Sequence, residues 1–433
     1  MRLVTEIIRP IEGITVHIVP TDKFKTLTFA VQFRGRLKRE TVTKRALLAY
    51  VLKSATAKSP STQLLQQRLD DLYGASLTSQ IHKRGEDHIL SFLLHTAGDR
   101  FLSETSTLAA DSLELLAEAI LAPHAKDGAF DEETVNKEKR ALRQRLESII
   151  DDKMQYANIR LIDEMCRGEA YALHTYGYKE DLEAISPVDL YDYYQQMIKE
   201  DEIDLYVIGD VDPDRIIGII VKAFAFRGRQ PVAHPFRFVP VEVGAPKTIR
   251  ESHDVEQGKL NLGYRTNVVI GDPLYYAAQV FNGLFGGFPH SKLFMNVREK
   301  ASLAYYAASR YDSYKGLILV MSGIEFSNFD KTVAIIRQQL ESVQSGDFDD
   351  VAVDQTKALL KNAVLEALDS PFSLIEQLYR SVLVKSADDL DRWLTEIDRV
   401  SRDDIVRVAQ QTVLDTIYFL HGKEGDPHGN PTV

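Results

Sequence analysis

The second half of this sequence repeats the order of signals in its first half, which restricts the chain to a duplicated domain. Gly74-Ala75-Ser76-Leu77 leads into an alternating strand and a turn, and Ala301-Ser302-Leu303 leads into another. Ser186-x-x-Asp189 with Gln195-Gln196 recurs as Ser401-x-x-Asp404 with Gln410-Gln411. Each of these is followed by a short apolar strand closed by glycine, at 205–209 and 417–422. Two echoes in the same order, each displaced by about half the chain, mark a tandem repeat of a unit of roughly 200 residues.

The charge balance narrows the partners. A net charge of −11 over 433 residues lacks the basic footprint that nucleic acid or an anionic lipid surface requires. The single cysteine, Cys166, rules out an intrachain disulfide framework and suits a reducing compartment. The first residues carry no apolar core of signal-peptide length, and no run approaches the roughly 18 apolar residues of a membrane span. A cytoplasmic protein with no nucleic-acid or membrane partner is the expectation.

Periodicity organises each half in the same way. Residues 14–19 and 25–33 alternate at period two, 45–52 reads as a buried helix, and 61–72 is amphipathic. Residues 76–82 and 88–96 read as a hairpin turning at Gly85, and His82, His88 and His95 on it are expected to be solvated hairpin residues. Helical patterns follow at 105–121, 132–150, 153–167 and 187–198, before a strand at 203–209. The Pro- and Gly-rich stretch 226–247 reads as a linker, which divides the chain into domains at 1–225 and 248–433. In the second half a strand near 258–265 precedes a helix whose N-cap is expected at Asp272, then a loop at Gly283, Gly286 and Gly287. Strands at 303–311 and 316–322 and helices at 328–344, 351–369, 372–384 and 402–412 complete it. Consecutive helices rather than strict strand–helix alternation predict an α+β fold, with two similar tandem domains of mostly antiparallel sheet covered by long helices.

Particular stretches give this pattern a family likeness. Asn282-Gly283-Leu284-Phe285-Gly286-Gly287, Val297-Arg298-Glu299-Lys300 and Ser302-Leu303-Ala304-Tyr305 resemble the glycine-rich loop and the following "REK-x-x-L-A-Y" stretch of the insulinase, pitrilysin and mitochondrial processing peptidase family. In the first half, Leu72-Tyr73-Gly74-Ala75-Ser76-Leu77 and Phe130-Asp131-Glu132 are similar to that family's punctuation. Active members are inverted zincins with His-x-x-Glu-His on a helix of the first domain. Here Lys53-Ser54-Ala55-Thr56 resembles the family's Phe-Lys-Gly-Thr. Counting back from it, the two histidine ligands fall on Ala46 and Tyr50 and the glutamate base on Ala49. The third ligand falls on Arg145, within Gln144-Arg145-Leu146. Zinc needs three protein donors and an open position for water, which this set does not supply. The resemblance therefore implies no zinc and no catalytic residue in this chain.

Arg298 and Tyr305 do match the family's second-domain arginine and tyrosine, which the resemblance implies bind substrate across a chamber. A guanidinium suits a peptide carbonyl or carboxylate, and a phenol can donate to an oxyanion. The plainer alternative is that Arg298 offsets a helix C-terminal dipole and Tyr305 is one residue of a strand face. The family includes two-subunit zinc peptidases in which one chain carries the metal and the other does not. The resemblance thus implies a non-catalytic, chamber-forming subunit, with zinc on a homologous partner chain and a peptide or unfolded polypeptide as substrate. Homodimerisation in isolation, a scaffold role without proteolysis, and a peptidase with an unorthodox site remain as alternatives.

Overall fold

The computed structural model describes residues 3–102, 107–226, 228–385 and 390–422. Two compact units emerge, one of residues 1–148 and 173–235, the other of 149–172 and 236–433.

The first unit is built on a six-stranded sheet in the order β1-β2-β8-β3-β5-β4, from β1 (Ile7–Ile11), β2 (Ile14–Pro20), β3 (Thr26–Arg36), β4 (Ser76–Arg84), β5 (Asp87–Ala97) and β8 (Glu202–Gly209). Only β2 and β8 run parallel. Strand β3 shows why the sheet forms: Leu27, Phe29, Val31 and Phe33 alternate onto one face and enter the core cluster. That face is covered by α1 (Val42–Val51), α3 (Leu108–Leu121) and α6 (Pro187–Glu200), through residues such as Leu47, Leu48, Leu113, Leu116, Leu190 and Tyr194. Outside it lie α2 (Thr62–Asp71), the two-residue strands β6 (Ala125–Lys126) and β7 (Ala129–Phe130), α4 (Glu132–Asp151) and α7 (Pro213–Ala223). Residues 226 and 228–235, expected as linker, belong to this unit. Phe226 is buried, and Arg34 and Arg36 donate to the carbonyls of His234 and Pro235, both at 2.9 Å.

The helix α5 (Lys153–Met165) corrects the expected boundary: it stands in the first half of the sequence but belongs to the second unit. Its buried residues Ala157, Leu161, Ile162 and Met165 form one cluster with Leu317, Leu319, Tyr418 and Leu420 of that unit's sheet. Polar contacts fix the register. Asn261 donates to Asn158 at 2.6 Å, and Arg265 reaches the Met165 carbonyl at 2.8 Å and Glu169 at 2.6 Å. The Glu251 carboxylate accepts from Tyr156, Arg160, Tyr418 and His253. Burial opposes its ionisation, but these hydrogen bonds outweigh it and hold its pKa down to about 2.

The second sheet runs β11-β12-β10-β13-β9, from β9 (Lys247–Ser252), β10 (Gly258–Arg265), β11 (Ala304–Asp312), β12 (Leu317–Ile324) and β13 (Val413–His421). Again one pair, β13 and β9, is parallel. Read from its β9 end, this order reproduces β2-β8-β3-β5-β4 of the first unit strand for strand, so the duplication holds at the level of topology and β1 is an addition. Helices α8 (Tyr275–Asn282), α9 (Phe329–Gln344), α10 (Asp350–Ala367), α11 (Pro371–Val384), α12 (Leu390–Arg399) and α13 (Arg402–Gln411) complete it. The α+β class and tandem design are as expected. Two local details differ. Helix α8 begins at Tyr275, and Asp272 accepts from the Leu274 amide at 2.8 Å ahead of it rather than capping it. Gly283–Gly287 is a π-helical turn rather than a loop. Among the described residues no helix is long and apolar enough to cross a membrane.

Candidate functional site

The helix expected to have held metal is α1, and its environment is apolar. Arg45, fully buried, anchors it by donating to Asp201 at 2.5 Å and to the Phe33 carbonyl at 2.7 Å. Ala46 and Ala49 lie in the core cluster at 0% and 3% exposure, leaving only methyl groups where ligand and base are expected. Tyr50 is half-buried at the edge of that cluster.

From α4, Arg145 approaches Tyr50 closely enough to bear on its ionisation. Its Nη2 donates to the Tyr176 hydroxyl at 2.7 Å, and its guanidinium carbon lies 4.0 Å from the centroid of that ring. Burial raises the Tyr50 pKa, while the nearby Arg145, hydrogen-bonded to the same phenol, pulls it down. The phenol is therefore protonated at neutral pH. The Lys53 ammonium stands 5.5 Å from the Tyr50 ring centroid. The nearby carboxylate of Glu138 is engaged, accepting from Ser54 at 2.8 Å with Lys137 at 3.2 Å. Tyr176 was not foreseen from sequence. It is placed by Gly177, at φ +73°, where an added Cβ would lie 2.3 Å from Thr43 Oγ1. The loop thus presses against the first turn of α1, with the Tyr178 amide donating to Thr43 at 3.0 Å.

Two methyl groups, a protonated phenol and a guanidinium do not fit zinc, and no metal-dependent step can be assigned to them. The histidines of the β4–β5 hairpin offer no replacement: His82 lies toward solvent as expected, against Gln80 at 3.2 Å, but His88 and His95 are not the solvated residues expected. His88 is 1% exposed and donates to the Thr175 carbonyl at 2.9 Å; burial pushes its pKa down to about 3. His95 pairs with Thr28 at 2.8 Å. Among the described residues no group of three or more His, Cys, Asp or Glu is arranged to hold a metal.

In the second unit, the glycines act through close packing. A Cβ on Gly283 would fall 2.4 Å from Thr356, and one on Gly286 would fall 2.6 Å from Ser309. Gly287 stands against Asn282, whose side chain accepts from Ser309 at 2.8 Å. This turn precedes a second π-helical segment, Phe294–Lys300, which carries Arg298. The Arg298 guanidinium carbon lies 4.6 Å from the Phe294 ring centroid, with Glu299 at 3.6 Å. The chain then turns through Ser302 at φ 50°, closed by the Leu303 amide on the Val297 carbonyl at 3.1 Å.

Tyr305 follows at once, and it is not an ordinary strand residue. Ala304 pairs with Ile324 and Tyr306 with Gly323, so Tyr305 is the extra residue of a bulge and is 80% exposed. Ala307 and Ser309 further along the strand are buried, so Tyr305 does not share their environment. Arg298 and Tyr305 therefore project from adjoining segments around one tight turn, both open to solvent.

Comparison with known proteins shows what the chain as a whole is similar to. The profile described as "Peptidase M16 inactive domain" matches residues 184–360. A Bacillus subtilis protein named "Probable inactive metalloprotease YmfF" is 44% identical over 413 residues, covering 95% of this chain and 97% of its own length. A conserved protein of Enterococcus faecalis V583 superposes with a TM-score of 0.89 at 35% identity, covering 98% of this chain and 99% of that one. A Pseudomonas fluorescens protein described as a peptidase M16 inactive domain gives a TM-score of 0.80 over 97% of this chain and 98% of its own; at 14% identity it speaks to the fold alone.

Proposed function

The chain belongs to the M16 peptidase family as a member without the zinc-binding motif, and from that membership we propose that it is the non-catalytic subunit of a heterodimeric zinc peptidase. One observation carries the reading. The metal helix has been emptied of every ligand, whereas Arg298 and Tyr305 are retained and exposed, Tyr305 at 80% on a bulge. What supports the reading is that a solvated phenol and a solvated guanidinium stand at the two ends of one tight turn, where the family resemblance implies substrate binding. In the mixed complex the partner supplies zinc, bound water and general base. This chain closes the chamber, and Arg298 and Tyr305 bind the polypeptide backbone or the developing oxyanion.

Co-purification from the native host tests this. The expected result is a homologous chain of similar length bearing His-x-x-Glu-His, with peptide cleavage by the pair and none by this chain alone. Recovery of this chain without any peptidase-competent partner would overturn the heterodimer and leave a scaffold role.

A further inference from the structure

The position that lost its metal has become a cluster of hydrogen-bond donors. Arg145 donates to the Tyr176 hydroxyl at 2.7 Å and lies over that ring, and Lys53 stands over the ring of Tyr50. The Tyr176 phenol oxygen accepts from Arg145, which leaves its own O–H directed elsewhere, and Arg145 is also close enough to Tyr50 to bear on its ionisation. Among the described residues neither Arg145 nor Lys53 is paired with a carboxylate; their contacts are with the two tyrosines. Glu138, the carboxylate nearby, already accepts from Ser54 and Lys137. Arg145 is open to solvent and has guanidinium N–H groups beyond the one given to Tyr176, and the Lys53 ammonium stands over the neighbouring Tyr50 ring, so donors outnumber protein acceptors at this position.

We propose that this vestigial metal position is an anion site that takes a peptide carboxylate. Where the family's active members hold a dication, this chain places fixed positive charge and hydrogen-bond donors, so the position suits a lone-pair-bearing anion rather than a cation. A carboxylate matches it, because its two oxygens offer four lone-pair directions and fit the planar edge of a guanidinium. Tyr176 holds that guanidinium flat, so little side-chain freedom is lost on binding. The ligand class rests on the reading that the chain handles polypeptide. The site itself lies within one unit and needs no partner chain.

Calorimetric titration of the full chain at low ionic strength tests it with three N-acetylated pentapeptides of otherwise uncharged residues: a free C-terminal acid, its uncharged amide, and an amide with one internal glutamate. The expected result is binding of the free acid, with the amide at least tenfold weaker. Arg145→Gln should weaken that binding roughly ten- to a hundredfold, and Tyr176→Phe should weaken it by less. Because Arg145 is exposed, Arg145→Gln should melt like the parent; Lys53→Gln gives a second, independent loss. Equal binding of the internal-glutamate amide would show that the site takes any peptide carboxylate, chain end or acidic side chain alike. No binding of any carboxylate peptide, or binding unchanged in both Arg145→Gln and Lys53→Gln, would overturn the site while leaving subunit pairing to its own test.

Discussion

A Cβ added to Gly263 would lie 2.5 Å from the sulfur of Met165, so β10 meets α5 across a gap that only glycine leaves open. Gly263→Val should destabilise the second unit by about 1–3 kcal/mol through overpacking. Gly263→Ala should cost less, since the flexible Met165 side chain can move aside. Thermal denaturation checks this, and Met165→Ala in the Gly263→Val background should recover part of the loss. No change in Gly263→Val would show that the helix packs more loosely than described.

The first unit should weaken above neutral pH through His17. Its ring is buried between Glu6 at 2.8 Å and Asp204 at 3.2 Å, stacked on Tyr206 at 4.3 Å. Burial opposes protonation, but the two carboxylates outweigh it and raise its pKa to about 9. A raised folded pKa gives stability that is complete below the unfolded value of about 6.5 and disappears as pH rises through about 9. The melting temperature should therefore fall between pH 7 and 10, and His17→Gln should be less stable at pH 7 with a flatter dependence. Parallel pH profiles for the two proteins would remove His17 from the account.

Arg298→Ala and Tyr305→Phe should leave folding and pairing intact while lowering peptide cleavage by the assembled complex. Loss of one charge-assisted or oxyanion hydrogen bond costs on the order of 2–4 kcal/mol, or tens- to several-hundredfold in rate. Full activity of both variants with a competent zinc-bearing partner would reduce these residues to surface features.

Purified protein should contain far less than one zinc per chain by elemental analysis. Ala46→His, Ala49→Glu and Tyr50→His together should still fail to bind it, because Arg145 would sit beside the metal. Adding Arg145→Glu is the minimum change. That variant should also be less stable without metal, since Ala46 and Ala49 are fully packed at 0% and 3% exposure and larger side chains overfill the core. One tightly bound zinc in the parent chain would contradict this.

The sequence made the repeated α+β plan readable because apolar periodicity survives in β3, β5 and the long helices, where one face must be buried. The misfit of Ala46, Ala49, Tyr50 and Arg145 to zinc was equally readable, since their side chains differ from the required donors in chemistry. What stayed hidden depends on long-range contact. Nothing in the composition of α5 says which sheet it covers; that is set by Gly263, Asn261 and Arg265, each nearly a hundred residues away or more. Tyr176 looked like loop, because its position comes from the fit of Gly177 against Thr43. The bulge at Tyr305 arises from the pairing of β11 with β12, which local alternation does not encode.

The placement of α5 also sets an order of events at the ribosome. Its apolar face emerges long before β10, and its full docking surface waits for β13, which begins at Val413 and is the last strand among the described residues. At about 5–20 residues per second, that interval is on the order of ten seconds or more. During it the first unit can close its own sheet with β8, while Ala157, Leu161, Ile162 and Met165 remain without their native cover. A nascent chain stalled before residue 413 should therefore present one finished unit and one orphaned amphipathic helix, the kind of surface that chaperones hold until synthesis is complete.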